Sequence, residues 1–342
     1  MMSLPKVSLI VPCFNEASFI AGILLDIEQQ SYPKELIELF VVDGRSTDRT
    51  RAIYEETLDS INYASKLMDN PDRIAPIAMN LGIQAATGDY IFIWGAHASY
   101  PNNFIKQMID LALQSNADCV GAVCKTLPRI NSSKGIAIAE VLQHPFGVGN
   151  ASFRTGIDEV KEVDTVAFGC YKKECFETYG LFNPKLVRNQ DIELNKRIVN
   201  NGGRILLDPN TSCTYFARST FKGLWSNNFG NGEWVVKTAK ITGQFDALSL
   251  RHFVPLLFVT GLIVCICLSL LNLRTQILPA SLTGIFLSPI IFYTIAIAIV
   301  SARITLKNKQ IKIWGNTMFS FAVLHISYGL GSLKGIFYRK KK

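Results

Sequence analysis

Short apolar runs of strand length alternate with helical patterns in the first third of the chain. The strand-like runs are Val7–Val11, Leu36–Val42, Tyr90–Trp94 and Ala117–Val123. Helical patterns extend from Asn15 to about Gln30, from the residue after Asp48 to about Ser60, from Pro76 to Ala86 and from Asn102 to Gln114. Because the runs are continuous, they indicate strands buried on both faces. The pattern predicts an α/β domain with a mostly parallel sheet covered by helices on both faces.

Polar side chains follow three of these runs at the point where each strand ends. They lie in the segments Pro12–Glu16, Asp43–Asp48 and Gly95–His97. Ligands bind beyond the carboxyl ends of strands in such sheets, so we expect the three segments to converge on one cleft. The sequence has neither a GxGxxG fingerprint nor a P-loop, which disfavours a dinucleotide enzyme or an NTPase. The Asn, Glu, Asp and Ser side chains are suited to hydrogen bonding with a base and ribose.

The C-terminal quarter has a different pattern, with three long stretches that carry no formal charge. We predict spanning helices over about residues 253–273 and 277–301, because both stretches exceed the roughly 20 residues that cross a bilayer. The third stretch, about 314–333, is weaker and is predicted to span or to lie in the membrane interface. The chain is therefore expected to have a 1–250 cytosolic domain and a 251–342 membrane region.

The charge distribution supports a membrane location. The 342 residues carry a net charge of +8, with 49% hydrophobic and 18% charged residues. From Arg251 onward there are 11 Lys and Arg and no acidic residue, which leaves the front of the chain at −3. Basic residues that punctuate apolar stretches are typical of contact with anionic headgroups, so no nucleic-acid partner is expected. No signal peptide is recognised, and we expect a multi-pass protein of the inner (plasma) membrane with a cytosolic catalytic domain.

Several sequence blocks resemble known glycosyltransferases. The blocks VSLIVPCFNEASFI, VVDGRSTDRT and MNLGIQAATGDYIFI are similar to the front half of inverting family 2 enzymes. The blocks NPDRIAPIAMNLGI, HPFGVGN, VDTVAFGCYKKECFETYGLFNPKLVRNQDIELNKRI and LHISYGLG resemble the succinoglycan-type exopolysaccharide glucosyltransferases. The resemblance implies a GT-A nucleotide-sugar-binding fold. It also implies an inverting transfer of a sugar from a nucleotide-diphosphate donor, UDP-hexose, to a polyprenyl-diphosphate-linked saccharide. This reaction would belong to exopolysaccharide or cell-surface polysaccharide synthesis.

The same resemblance implies a donor site at the strand ends. Asp43 matches the aspartate that hydrogen-bonds the uracil in that family. Asp48 closes the motif, although an Asx turn or helix N-cap is an alternative role for it, and Asn15 could equally cap a helix. The donor-binding residues that the resemblance implies are Pro12, Asn15, Glu16, Asp43, Asp48, Asn80 and His97.

The chain departs from the family where a metal would bind. The family usually has Asp-x-Asp after its GDY strand, and this chain has Gly95-Ala96-His97. The resemblance implies a divalent metal, Mn²⁺ or Mg²⁺, and the lost carboxylate weakens that expectation. His97 could ligate Mn²⁺, since Mn²⁺ also accepts imidazole, or it could donate a hydrogen bond or proton, or merely line the cleft.

A single carboxylate stands where the family has its general base. The family's acidic pair reads Gln190-Asp191 here, so the resemblance assigns Asp191 as the catalytic base and Gln190 to the acceptor site. An inverting transfer needs a carboxylate that takes the proton of the acceptor hydroxyl. The competing interpretation is N-capping of the following helix by Asn189 or Asp191. Glu193 is expected to form a salt bridge with Arg197 at i,i+4.

The resemblance also places Trp234 in the acceptor site, because it matches the Trp of a Gln-x-x-Arg-Trp signature in which Glu233 replaces Arg. Anchoring at the membrane interface is the alternative for this aromatic residue. The Gly-rich segment His144–Asn150 is interpreted as a lid or a loop. The missing carboxylates at 95 and 190 favour a second hypothesis, a catalytically weak paralogue that serves as a scaffold subunit of a polysaccharide assembly complex.

Overall fold

The computed structural model describes residues 3–243, 250–276 and 279–339. In chain order, the strands are β1 Val7–Cys13, β2 Ile37–Asp43, β3 Ala64–Asp69, β4 Tyr90–Ile93, β5 Ala98–Ser99, β6 Cys119–Pro128, β7 Lys161–Glu162, β8 Cys170–Lys172 and β9 Ile205–Ala217. The helices are α1 Ile20–Glu28, α2 Thr50–Thr57, α3 Ala75–Ala85, α4 Phe104–Ser115, α5 Ser133–Val141, α6 Pro145–Val148, α7 Ser152–Thr155, α8 Lys173–Tyr179, α9 Gln190–Asn200, α10 Phe221–Thr242, α11 Val254–Thr275, α12 Ala280–Asn308 and α13 Trp314–Ile336.

The chain divides into two compact units. The first comprises Met1–Lys125 and Ala151–Phe216, and the second comprises Thr126–Asn150 and Ala217–Lys342. The predicted boundary at residue 250 does not match this division, because α5, α6 and α10 belong to the second unit. Apolar residues of α5 explain part of the difference, since Ala137 and Val141 are fully buried in one cluster with residues of α12 and α13.

The first unit is built on a mixed, mostly parallel sheet with the strand order β3-β2-β1-β4-β8-β6-β9-β5, and β7 pairs with β9. Strands β2, β1 and β4 are parallel neighbours, whereas β8 runs antiparallel to β4. The register sets Cys13 beside Asp43 and Asp43 beside Asp69. Three polar loops therefore leave the same edge of the sheet, as the sequence pattern predicts.

Helices cover both faces of this sheet. On one face, Leu9 and Leu39 pack in a buried cluster with residues of α1 and α4. On the other face, Ile10 and Phe40 pack with residues of α3, α8 and α9. Successive strand residues point to opposite faces, so a continuous apolar run is required in both layers. The α/β GT-A fold class is confirmed.

Helix α1 begins at Ile20, five residues later than the sequence pattern indicates. Asn15 does not cap this helix, because its backbone has φ of 56° and its side-chain oxygen accepts the N–H of Thr47 at 2.8 Å. The segment after β1 is therefore a loop that is fixed to the loop after β2. The other predicted strands and helices of the first 125 residues are confirmed within a few residues.

The second unit is helical, and its helices approach closely at small residues. A Cβ atom at Gly232 of α10 would lie 1.9 Å from the carbonyl oxygen of Tyr328, and one at Gly331 of α13 would lie 2.0 Å from that of Phe229. Only glycine allows backbones to pack at this distance. The small residues of the third predicted stretch thus serve helix packing.

Two helices of the second unit are long and apolar enough to cross a membrane. They are Val254–Thr275, with mean hydropathy 2.7, and Leu282–Asn308, with mean hydropathy 2.3. Each buries 11% of its most apolar stretch, and Leu257 and Phe292 are 71% and 69% exposed. A soluble core helix would be mostly buried, so these helices indicate membrane association. Among the described helices, α13 is not a third candidate.

The two family-like blocks His144–Asn150 and LHISYGLG meet in this unit. His325 of α13 contacts the carbonyl oxygen of Phe146 at 2.9 Å through Nε2 and the Tyr293 hydroxyl at 3.0 Å through Nδ1. Gly147 lies so close to Val141 that a Cβ atom there would come within 2.2 Å of the Val141 carbonyl oxygen. The Gly-rich segment is therefore a packed helical turn, α6, rather than a loop.

Candidate active site

Asp43 ends β2 with a side chain that is fully buried and bound by Arg51 and Ser46. Its Oδ2 accepts hydrogen bonds from Arg51 Nε at 2.5 Å and from the Ser46 N–H at 3.0 Å. Its Oδ1 accepts from the Ser46 hydroxyl, and Arg51 also pairs with Asp69. A buried carboxylate requires such partners. Arg51 and Ser46 hold Asp43 in one orientation at the edge where a nucleotide base would bind.

Asp48 joins the loops that follow β1 and β2. Its Oδ1 accepts the N–H of Thr50 at 3.0 Å, and its Oδ2 accepts the N–H of Ala17 at 3.1 Å. The Thr50 hydroxyl and these N–H groups hold the pKa of Asp48 below its usual value. Because the bond to Thr50 reaches the N–H two residues further on and Arg49 holds the N-cap position of α2, Asp48 forms the Asx turn that its sequence position suggested, and its donor-binding role stays a prediction.

Glu16 and His97 form a pair between the first and third polar segments. His97 Nε2 lies 3.0 Å from Glu16 Oε1, and the His97 ring packs edge-on against Phe19 at 4.8 Å. The side chain of His97 is half exposed, whereas that of Glu16 is 11% exposed. Glu16 Oε2 is buried without a hydrogen-bond partner in the described structure. The structure thus brings these two predicted donor-site residues together.

The residues at 95–97 do not fit the two-carboxylate metal site of the family. A Cβ atom at Gly95 would lie 2.3 Å from Cε1 of Phe168, so an aromatic ring fills the place of the first carboxylate. The one nitrogen of His97 with a described contact, Nε2, faces Glu16. Across residues 3–243, 250–276 and 279–339, no three His, Cys, Asp or Glu side chains converge as metal ligands. We derive no chemical step through a metal.

The amide of Asn80 is engaged with the backbone of Phe182, and the donor-binding role that the resemblance implies for it stays a prediction. Its Nδ2 donates to the carbonyl oxygen of Phe182 at 2.8 Å, and its Oδ1 accepts the Phe182 N–H at 3.0 Å. Both ends of the amide are therefore used to hold the chain before α9. Pro12 lies in β1 opposite Val42, and its donor-site role stays a prediction.

Asp191 occupies the first turn of α9, one residue after Gln190. Its Oδ1 accepts the N–H of Ile192 at 2.9 Å. Burial raises the pKa of Asp191, while this hydrogen bond, one from its own N–H and the charge of Arg154 act in the opposite direction. Asn189 holds the N-cap position with φ of 61°, but its side chain makes no capping hydrogen bond. A carboxylate with a raised pKa is a better proton acceptor, as a general base requires.

Two polar side-chain atoms without partners precede Asp191 in the sequence. Asn189 Nδ2 and Gln190 Oε1 are both buried without a hydrogen-bond partner in the described structure. Native proteins seldom leave buried polar groups unpaired, so these atoms indicate a polar ligand at the start of α9. Glu193, by contrast, is fully engaged with Arg197 at 2.8 Å, which confirms the predicted salt bridge.

The sequence did not point to Arg154, Arg51 or Phe168. Arg51 and Arg154 are ordinary basic residues in the sequence, and only the fold brings them to Asp43 and Asp191. Phe168 has φ of 52°, a left-handed conformation that is uncommon for an aromatic residue. Phe168 and Gly169 both lie in a family-like block, which is the signal that could have drawn attention to Phe168.

Trp234 lies on α10 in the second unit. Its ring lies 5.0 Å from Lys237 Nζ. The adjacent Glu233 binds Lys237 at 2.6 Å and Lys334 of α13 at 3.0 Å. Glu233 thus joins two helices of this unit, and an acceptor role for Trp234 stays a prediction.

The mostly parallel sheet, the helices on both its faces and the polar loops at one of its edges fit a GT-A glycosyltransferase. Residues 8–138 match the family model described as Glycosyl transferase family 2. The resemblance of the chain to family 2 glycosyltransferases is therefore confirmed over these residues.

Relatives and solved structures agree with this assignment. The chain is 29% identical over 270 residues to a dolichyl N-acetyl-alpha-D-glucosaminyl phosphate 3-beta-D-2,3-diacetamido-2,3-dideoxy-beta-D-glucuronosyltransferase of Methanococcus voltae, covering 76% of this chain and 83% of the relative. It is 29% identical over 227 residues to the succinoglycan biosynthesis protein ExoA of Rhizobium meliloti, covering 66% and 67%. The mannosyltransferase PcManGT of Pyrobaculum calidifontis, solved with GDP-Man and Mn²⁺, superposes with a TM-score of 0.64 at 20% identity, covering 98% and 88%. This last likeness concerns the fold.

Proposed function

We propose that the chain transfers a sugar from a UDP-linked donor to a polyprenyl-diphosphate-linked saccharide, with inversion at the anomeric carbon. The observation that carries the proposal is Asp191, a partly buried carboxylate at the start of α9 whose pKa is raised, in a unit whose strand ends carry the buried Asp43 and Glu16. The names of the two relatives, a dolichyl-phosphate glycosyltransferase and a succinoglycan biosynthesis protein, support a lipid-linked acceptor in polysaccharide synthesis.

The proposed reaction uses few groups of the chain. Asp43 binds the uracil and Asp191 accepts the proton of the acceptor hydroxyl. The acceptor oxygen forms a bond to the anomeric carbon of the sugar, and the bond from that carbon to the β-phosphate oxygen breaks. The electron pair of that bond leaves with UDP. One-step displacement from the opposite face inverts the configuration.

The apolar helices fit an acceptor that is held in lipid. An acceptor with a polyprenyl anchor has to be bound at a membrane surface, and α11 and α12 would keep the enzyme there. The positive-inside rule predicts a cytosolic location for the basic residues at and after the end of α12, among them Lys307, Lys309 and Lys312. We propose a multi-pass protein of the inner (plasma) membrane with the first unit in the cytosol.

Calorimetry on the detergent-solubilised full chain tests the donor. UDP is expected to bind more tightly than GDP, and Asp43→Ala should weaken UDP binding by about 1–3 kcal/mol, the scale of a lost buried partner. Preference for GDP would contradict the uracil assignment. If neither nucleotide binds and no sugar reaches a polyprenyl-diphosphate disaccharide, the enzyme proposal fails and the scaffold hypothesis replaces it.

A further inference from the structure

Sugar transfer from a nucleoside-diphosphate donor leaves negative charge on the departing diphosphate, and this charge has to be stabilised. The ring of Phe168 excludes a carboxylate at position 95, which could have held a metal ion there. A Cβ atom at Gly95 would lie 2.9 Å from Cζ of Phe168 as well as 2.3 Å from Cε1. The ring is held in place, since it packs edge-on against Tyr100 at 6.0 Å. Charge stabilisation without a metal at position 95 therefore requires another positive group in the first unit.

Arg154 on α7 is that group. Its Nη1 is buried and has no hydrogen-bond partner in the described structure. Its Cζ lies 5.3 Å from the ring centroid of Phe153 and 5.5 Å from that of Tyr215. The two rings orient the guanidinium through cation–π contact and leave Nη1 available for a ligand. Few buried charges persist unpaired without a ligand.

The fold connects Arg154 to both halves of the reaction. Tyr215 of β9 pairs with Ala98 of β5, which directly follows His97. The charge of Arg154 also opposes the rise in the pKa of Asp191 that burial causes. Through Tyr215, Arg154 contacts the strand that pairs with the residue after His97, and its charge acts on the carboxylate that would accept the proton.

We propose that Arg154 binds the diphosphate of the donor and stabilises the charge on the departing nucleoside diphosphate, in place of a metal held by protein carboxylates. This inference rests on the proposed transferase function. The planar guanidinium fork matches phosphate oxygens in a bidentate way, which a lysine ammonium does not. As the anomeric carbon–oxygen bond breaks, its electron pair passes to the β-phosphate oxygen that Arg154 contacts, while the acceptor proton passes to Asp191.

A lipid-linked acceptor also carries a diphosphate, so the experiment has to separate the two sources. UDP binding is measured by calorimetry in EDTA for wild type, Arg154→Gln and Arg154→Lys. Transfer kinetics are measured for the same proteins in EDTA and in Mn²⁺, with donor and acceptor varied separately. Arg204→Gln is the matched control, because Arg204 is half exposed and pairs with Glu162 at 2.7 Å.

We expect wild type to bind UDP and to turn over in EDTA. Arg154→Gln should lower kcat about 100-fold, the loss seen when one donor to a developing oxyanion is removed. It should also weaken UDP binding by at least about 10-fold, the scale of a lost hydrogen bond to a charged group. Arg154→Lys should recover part of the UDP affinity, and Arg204→Gln should match wild type.

Three results would overturn the inference. Wild-type turnover that disappears in EDTA and returns with Mn²⁺ would assign the charge stabilisation to a metal. Unchanged UDP affinity with a raised KM for the acceptor alone would assign Arg154 to the acceptor diphosphate. Unchanged binding and kinetics in Arg154→Gln would leave Arg154 a packing residue while transfer by the wild type still supports the proposed function.

Discussion

The exclusion of a side chain at Gly95 by Phe168 can be tested through stability. Gly95→Ala puts a Cβ atom 2.3 Å from Cε1 and 3.3 Å from Cδ1 of Phe168. Carbon atoms pack at about 3.5–4.0 Å, so the ring has to move by about an ångström. Overpacking of this kind costs about 1–3 kcal/mol. In a unit of this size we expect the melting temperature to fall by about 2–10 °C.

Thermal unfolding of the detergent-solubilised chain measures this effect. Gly22→Ala is the control, because a Cβ atom at Gly22 in α1 meets nothing within 4 Å. Alanine there should be neutral or stabilise the helix by up to about 1 kcal/mol. In a Phe168→Ala background, Gly95→Ala should cost little more than the background alone. A Gly95→Ala protein as stable as Gly22→Ala, or an equal loss in the Phe168→Ala background, would refute the reasoning.

The remaining predictions concern the base and the helix packing. Burial raises the pKa of Asp191, so kcat should increase with pH as this carboxylate loses its proton, at a pH above the pKa of an exposed aspartate. Arg154 and Tyr171 are the described titratable groups that interact with Asp191. Arg154→Gln should move this increase in kcat to higher pH, because the charge that lowers the pKa of Asp191 is lost. An increase at the wild-type pH would contradict the assignment of Asp191 as the base. Gly232→Ala should destabilise the second unit by about 3 kcal/mol in thermal unfolding, because its Cβ atom would lie 1.9 Å from a carbonyl oxygen of α13. Gly261→Ala is the control and should leave the stability unchanged, because a Cβ atom at Gly261 meets nothing within 4 Å.

The sheet and its functional edge are readable from the sequence because they depend on local patterns. Continuous apolar runs identify β1, β2 and β4, and parallel pairing then requires Asp43 and His97 to leave the same edge. The Glu193–Arg197 pair follows from helical spacing alone.

Long-range contacts account for what the sequence does not reveal. The amide of Asn80 binds a backbone 102 residues away, so a residue within a family-like block has a structural role. Phe168 reaches Gly95 only because β8 pairs with β4, which brings the preceding turn over the strand end. The grouping of α5 with the C-terminal helices depends on burial of Val141 against residues that follow it by more than 150 positions.

The transfer activity of Asp191→Asn tests the central claim most directly. Asparagine keeps the size of the side chain and removes its basicity, so kcat for transfer to a polyprenyl-diphosphate saccharide should fall by about 10²–10⁴-fold. UDP affinity in calorimetry should stay within about 2-fold of wild type. Asp110→Asn, at an exposed carboxylate that pairs with Lys106, is the control. Wild-type turnover in Asp191→Asn would contradict the account, because another group would then have to accept the proton.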